Sequence, residues 1–125
     1  RILIDPTTGA LGYGVEYTYS VMERLRITSL SGDAKLASPM IVMAGSECSG
    51  VKEYKATAEE FPAWGELSSR AMLWELATAT SLLYAGADCC VMSHPDAAME
   101  LKKTIDKLWR LADPNLHNLQ NEEAA

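Results

Sequence analysis

The stretch from Ile2 to Tyr19, ILIDPTTGALGYGVEYTY, constrains the fold more than any other part of the chain. Three apolar β-formers at residues 2–4 end at once at Asp5 and Pro6, and a polar loop with three glycines follows before the sequence becomes helical near Glu16. A buried strand that opens into such a loop and then a helix is half of a βαβ unit. In these units function usually lies in the loop at the carboxyl end of the strand.

The same strand-loop-helix pattern occurs twice more along the chain. Apolar runs at residues 40–43 and 89–92 predict two further buried strands. Helices are predicted near residues 16–30, 66–85 and 96–111, one after each strand. A longer polar loop from residue 46 to about residue 65, with a short helix near residues 51–56, precedes the second of them. Continuously apolar strands that alternate with helices are typical of a parallel α/β sheet.

Composition and charge argue against two classes of partner. Of the 125 residues 48% are hydrophobic, which is enough for one modest core. The net charge is −6 and no cluster of Lys and Arg is present to neutralise phosphates, so we expect no nucleic acid partner. No apolar run approaches the roughly 18–20 residues of a membrane-spanning helix, so we expect no membrane partner.

The cysteines bear on compartment and metal binding. Cys48, Cys89 and Cys90 are odd in number and no signal peptide precedes them, which indicates a reducing compartment, the cytoplasm. Neighbouring residues of a strand point to opposite faces, so Cys89 and Cys90 cannot readily bind one metal ion together. An iron–sulfur cluster requires about four thiolates, so any such cluster must belong to a partner.

Polar residues at the strand ends are the candidate site, and each has two interpretations. Asp5 lies where barrel enzymes place catalytic side chains, but a carboxylate beside a proline is as typical of a turn. His94 is suited to metal ligation or proton transfer, or it is a rim histidine hydrogen-bonded to backbone before Pro95. The loop glycines lack the spacing of a P-loop or of GxGxxG. They permit a tight turn, or they let the backbone approach a large planar ligand or a partner protein.

The run from Asp5 to Arg24, DPTTGALGYGVEYTYSVMER, resembles the small (delta) subunit of the corrinoid iron–sulfur protein in the CO dehydrogenase/acetyl-CoA synthase system. The resemblance covers roughly residues 1–111 and implies a fragment, the C-terminal βα units of a (β/α)8 TIM-type barrel. Residues 112–125 would be a loose polar tail. The corrinoid-binding residues that we infer on this basis are Asp5, Thr7, Thr8, Gly9, Gly12, Tyr13, Glu47 and His94. The segment after the second strand departs from the family pattern, since Gly45 and Glu47 are retained but Ser46 and Cys48 are not typical of it.

The resemblance implies a non-catalytic barrel subunit that pairs with a large (gamma) subunit carrying the cobamide and a [4Fe-4S] cluster. Such a subunit shelters the partner's corrinoid while a methyl group passes from a methyl-tetrahydropterin to acetyl-CoA synthase in the reductive acetyl-CoA pathway. Acetyl-CoA synthase and the methyltransferase would be transient partners. The identity of the pterin that donates the methyl group, folate or sarcinapterin, stays open.

An alternative from another class is a barrel methyltransferase that binds the methyl-pterin directly. Such a site needs acidic and amide side chains at several strand ends, and the chain offers Asp5 but no asparagine before Asn115. A free-standing small domain is a third possibility. Its sheet would have exposed edges, which favours a fragment of a larger protein instead.

Overall fold

The structure is a computed structural model that describes residues 2–112. Its elements, in chain order, are α1 (Val15–Leu30), a 3₁₀ turn (Ala34–Ala37), β1 (Ile41–Val42), α2 (Ala44–Gly50), α3 (Lys52–Lys55), a second 3₁₀ turn (Pro62–Trp64), α4 (Leu67–Tyr84), β2 (Cys89–Cys90) and α5 (Pro95–Ala112). No helix within this part is long and apolar enough to cross a membrane. A loose tail was predicted for residues 112–125. Ala112 is instead the last residue of α5, and residues 113–125 lie outside the described part of the chain.

The three predicted strand segments lie side by side and parallel. β1 pairs with β2, with Ile41 opposite Cys89, and a single parallel bridge joins Ile4 to Met40 on the other side of β1. The strands are shorter than predicted. The first contributes only Ile4, because Ile2 and Leu3 have no pairing strand among the described residues and are 72% and 56% exposed.

The segment after β1 differs from the sequence prediction. A polar loop was expected to begin near residue 46 and to run to about residue 65, but residues 44–50 form α2, which begins two residues after the strand ends. The short helix expected near residues 51–56 is present as α3. Further along, Arg70 of α4 holds this connection in place by donating hydrogen bonds to the backbone carbonyls of Glu53, Ala56 and Gly65.

The helices α1, α4 and α5 pack on one face of the sheet. Cys90 of β2 contacts a cluster that includes Met22 of α1 and Leu82 of α4, and also a second cluster that includes Leu101 of α5. Because side chains alternate along a strand, residue 89 lies on the opposite face. Cys89 is exposed there, and Val91, next on that face, is 38% exposed. In the described part of the chain this second face is therefore partly open to solvent, although parallel sheets are normally covered on both faces.

A hydrogen-bonded ion pair joins α1 to the start of β2. Arg26 donates to the Asp88 carboxylate and, over 2.6 Å, to the carbonyl of Gly86. The same Asp88 oxygen accepts the backbone N–H of Met40 over 2.8 Å. Exposed ion pairs are worth at most about 1 kcal/mol, so we attribute most of the effect of Asp88 to the backbone bond.

We therefore expect Asp88→Ala to lower the free energy of unfolding by about 1–2 kcal/mol, because the Met40 N–H loses its acceptor. Asp88→Asn keeps an acceptor oxygen and should lose less than half of that. Urea unfolding followed by circular dichroism measures both variants. Equal losses would mean that the charge, and not the backbone hydrogen bond, carries the effect.

Candidate functional site

The loop after the first strand segment is fixed from both sides. The carboxylate of Asp5 accepts the backbone N–H of Thr7 over 2.8 Å, and Thr7 takes a left-handed conformation with φ of 66°. Thr18 of α1 donates its hydroxyl to the Thr7 carbonyl and accepts the Gly9 N–H, over 2.8 and 2.7 Å. In this geometry Asp5 serves the turn. A left-handed threonine is strained and persists because these bonds hold it.

The tip of the loop is a tight turn that α4 clamps. The Tyr13 N–H donates to the Ala10 carbonyl over 2.9 Å, and Gly12 supplies the positive φ of 75° that the turn requires. The Leu11 N–H donates to Thr78 Oγ1 and the Leu11 carbonyl accepts from the indole N–H of Trp74, both over 3.1 Å. Both backbone polar groups of Leu11 are therefore satisfied by side chains of one helix, which ties the tip of the loop to α4.

Gly9 is required for close approach of the backbone. A β-carbon at this position would lie 2.5 Å from the carbonyl carbon of Gly14, so no larger residue fits without a shift. Gly9 and Gly12 thus serve the tight turn, which is one of the two interpretations from the sequence. The other, approach of a ligand or partner, concerns the outer surface of the loop, where Tyr13 is 53% exposed.

Three strand-end segments are bonded to one another. Thr8 Oγ1, in the first loop, accepts the N–H of Met43 at the end of β1 over 2.8 Å. Gly45, at the start of α2, donates its N–H to the Val91 carbonyl just after β2 over 2.9 Å. The segments that carry the predicted site residues therefore form one continuous edge, which we call the rim. Glu47 lies exposed on α2 beside it.

Two residues of α3 extend the rim, and the sequence analysis did not identify them. Glu53 accepts a hydrogen bond from the Tyr13 hydroxyl over 2.9 Å. This bond favours the protonated phenol and raises the pKa of Tyr13 above its ordinary value. Tyr54 donates its hydroxyl to Glu75 of α4 over 3.0 Å, and burial, together with that bond, raises the pKa of Tyr54 to about 12.

Glu75 is fully buried and reaches the third strand-end segment. Its Oε1 accepts the backbone N–H groups of Ser93 and His94 over 2.6 and 3.0 Å. The His94 side chain is half-buried, and its Nδ1 is buried without a hydrogen-bond partner among the described residues. The expected bond from a rim histidine to backbone is not made by this nitrogen. One signal for Glu75 was present in the sequence, a lone acidic residue inside the apolar stretch of α4.

A shallow concavity of about 390 Å³ lies between the first loop and α1. Exposed aromatic rings border it, since Tyr17 is 74% and Tyr13 53% exposed. Within residues 2–112 no three His, Cys, Asp or Glu side chains are grouped so that they could hold a metal ion. The residues that line the concavity are Pro6, Thr7, Thr8, Gly9, Tyr13, Gly14, Tyr17, Thr18 and Val21.

The fold and the site together define a class of protein, one that has a short parallel sheet and a candidate site on the loops at its strand ends. Comparison with known proteins gives the family. The sequence model of the CO dehydrogenase/acetyl-CoA synthase delta subunit family matches residues 1–108, and the chain belongs to this family. The delta-subunit resemblance predicted from Asp5 to Arg24 is thus confirmed; that these are its C-terminal units stays a prediction.

Curated relatives carry the same subunit description. The chain is 36% identical over 124 residues to acetyl-CoA decarbonylase/synthase complex subunit delta 2 of Methanosarcina acetivorans, which covers 97% of this chain and 28% of the relative. It is 39% identical over 110 residues to subunit delta of Archaeoglobus fulgidus, covering 86% of this chain and 24% of the relative. The chain therefore spans about a quarter of the length of these relatives.

The clamp on the loop tip can be tested at Thr78. We expect Thr78→Val to increase the hydrogen-exchange rate of the Leu11 amide at least tenfold, because the amide loses its acceptor. Thr78→Ser retains the hydroxyl and should preserve most of the protection. Hydrogen exchange followed by mass spectrometry on peptides that contain Leu11 measures both. Equal protection in the valine and serine variants would contradict the clamp.

Proposed function

We propose that this chain is part of the delta subunit of an acetyl-CoA decarbonylase/synthase complex and acts as a non-catalytic subunit that shelters a corrinoid held by a partner. Family membership and the names of the relatives support the first half of the proposal. The observation that carries the second half is the rim, an edge of three hydrogen-bonded strand-end segments with exposed tyrosines at a concavity.

The residues at the concavity fit one face of a corrinoid. A volume of about 390 Å³ is near the lower end for pockets that hold drug-sized ligands, and a corrinoid with its side chains is larger. The concavity would therefore contact the macrocycle without enclosing it, which suits a group held mainly by another subunit. The rings of Tyr13 and Tyr17 offer flat surfaces, and the glycine loop lets backbone approach closely.

The chemistry in this proposal belongs to the corrinoid, whose cobalt accepts and donates a methyl group when the cofactor is bound. The residues of this chain contribute contact and exclusion of water. Thr7, Thr8, Gly9 and Gly12 shape the loop, and Asp5 fixes its turn. Glu47 and His94 stand at the neighbouring strand ends, and neither is assigned a bond-making role.

The partners that follow are a large subunit with the cobamide and a [4Fe-4S] cluster, and acetyl-CoA synthase and a methyltransferase as transient partners. The methyl donor would be a methyl-tetrahydropterin. We place the assembly in the cytoplasm, where thiols such as Cys48, Cys89 and Cys90 stay reduced; all three are free in the structure.

The test is co-purification of the full-length protein with its partners, followed by an absorption spectrum of the complex. We expect a larger partner that brings corrinoid and iron–sulfur bands. Tyr13→Ala and Tyr17→Ala should each weaken the association about tenfold, equivalent to ~1.4 kcal/mol, because exposed tyrosines are typical contact residues. Calorimetry or surface plasmon resonance measures the affinity.

Tyr84→Ala is the matched control, since Tyr84 is 65% exposed but lies in the last turn of α4 and does not line the concavity. It should retain the affinity of the unmodified protein. Equal weakening by all three substitutions would contradict a contact at the rim. A full-length protein that purifies alone and binds a methyl-pterin tightly would instead support the direct methyltransferase.

We also propose that the open face of the sheet is closed by further strands of a (β/α)8 barrel, of which this chain supplies consecutive units. The strand order follows the chain order, and α1, α4 and α5 all pack on one face. Right-handed crossovers in sequential order place helices this way, whereas a doubly wound sheet reverses its order and has helices on both faces.

Closure of the sheet would bury Cys89, which is exposed in the described part of the chain. We expect a thiol reagent to label Cys89 of the native full-length protein at least tenfold more slowly than after addition of denaturant. Cys48, fully buried already, is the internal reference for a protected thiol. Peptide mass spectrometry measures both, and rapid labelling of Cys89 in the native protein would contradict a closed barrel.

A further inference from the structure

Glu75 is an unusual residue for its place in the fold. It lies in the middle of α4, is 0% exposed, and is the only acidic residue of that helix. Burial of a carboxylate is costly unless donors surround it. The function proposed above assigns Glu75 no role, so the groups that bind its carboxylate are what indicate its role.

The two oxygens of Glu75 bind different elements. Oε1 accepts the backbone N–H groups of Ser93 and His94, between β2 and α5. Oε2 accepts the hydroxyl of Tyr54, on α3. One buried side chain thus connects three elements that are separate in the sequence, and all three donors fit a carboxylate as acceptor.

The connection continues from α3 to the first loop. Glu53 is the neighbour of Tyr54, and its carboxylate accepts the hydroxyl of Tyr13. Two adjacent residues of α3 therefore bind different parts of the structure. The side chain of Glu53 binds the first loop, and the side chain of Tyr54 binds Glu75. Tyr13 and His94, two of the residues predicted to contact the corrinoid, are the two ends of this chain of bonds.

His94 depends on this anchor more than Tyr13 does. Its Nδ1 has no hydrogen-bond partner among the described residues, so that ring nitrogen does not fix the side chain. Its main chain is held instead, by the bond from its N–H to Glu75 and by its carbonyl, which accepts the Ala98 N–H of α5 over 3.0 Å. Without Glu75 the residue would lose the first of these bonds.

We propose that Glu75 is a positioning residue, which sets His94 and, through Tyr54 and Glu53, Tyr13 in a fixed relation at the rim. The inference rests on the proposed function in one respect only, because it takes Tyr13 and His94 to be residues that contact the corrinoid. Glu75 itself is buried and touches no ligand in this scheme. Its effect on binding passes through the backbone that it holds.

The first test uses Glu75→Met and Glu75→Gln in the full-length protein. Methionine has a similar length but no strong acceptor, whereas the glutamine oxygen still accepts the N–H groups of Ser93 and His94. We expect Glu75→Met to increase amide exchange at Ser93 and His94 at least tenfold and to shift the imidazole NMR signal of His94. Glu75→Gln should rescue both, and the signal is assigned by its loss in His94→Gln.

The matched control is Leu82→Ala, which removes a fully buried core side chain from the same helix. It should reduce stability but leave the His94 and Tyr13 signals in place. Equal changes of those signals in Leu82→Ala and Glu75→Met would overturn the proposal, because the effect would then reflect lost stability alone. An unchanged His94 signal in Glu75→Met would overturn it as well.

Tyr54→Phe tests the connection from Glu75 through Tyr54 and Glu53 to Tyr13. It also keeps the proposal falsifiable if Glu75→Met does not fold. It removes one hydroxyl, and we expect it to shift the ring signal of Tyr13, although Tyr54 does not bond to that residue. An unchanged Tyr13 signal would overturn the link between the two ends. These readouts need neither corrinoid nor partner. If they succeed while Tyr13→Ala binds the partner normally, the proposed function fails and the positioning role stands.

Discussion

Parallel pairing brings the carboxyl ends of neighbouring strands to one edge of a sheet, and the rim depends on that constraint. The pairing is short here, a bridge at Ile4 and two residues each in β1 and β2. Ladder hydrogen bonds alone would hold three such segments weakly. Packing of α1, α4 and α5 against Val42 and Cys90 supplies most of the burial that keeps them together.

The buried polar residues are placed where the backbone needs them. Four polar residues are buried within residues 2–112, and each one binds a strand-end segment: Thr8 to the end of β1, Thr18 to Thr7 and Gly9, Thr78 to Leu11, and Glu75 to Ser93 and His94. Irregular backbone that is partly buried must find hydrogen-bond partners outside regular structure. The helices α1 and α4 provide three of these four partners, so the core and the rim are ordered together.

The sequence predicted the long helices well and the strand ends less well. Helices expected at 16–30, 66–85 and 96–111 occur within one residue at each end, because each is a long segment without interior glycine or proline and because Gly86 and Pro95 mark boundaries. The helix α2 was missed because its residues, AGSECSG, have low helix propensity. Tertiary contacts support it instead, such as the one from Cys48 to Thr78.

For the candidate site, the sequence predicted the first loop because its glycines and polar residues fall within one short stretch directly after a strand segment. Glu53, Tyr54 and Glu75 could not be placed from sequence, since the side-chain bonds that connect them to the rim join residues 18 to 40 positions apart. A charged residue within an apolar helix indicates a buried partner but does not say which one.

A rim that is fixed before any partner arrives has a consequence for recognition. Ordering a flexible loop on binding costs free energy, and a loop already clamped by Trp74 and Thr78 avoids that cost. Tyrosine side chains add large contact area with only two torsions to fix. The exposed rings of Tyr13 and Tyr17 on such a loop therefore offer contact area that needs little further ordering on binding. Because the hydroxyl of Tyr13 is already bound to Glu53, its ring face remains the part available for contact.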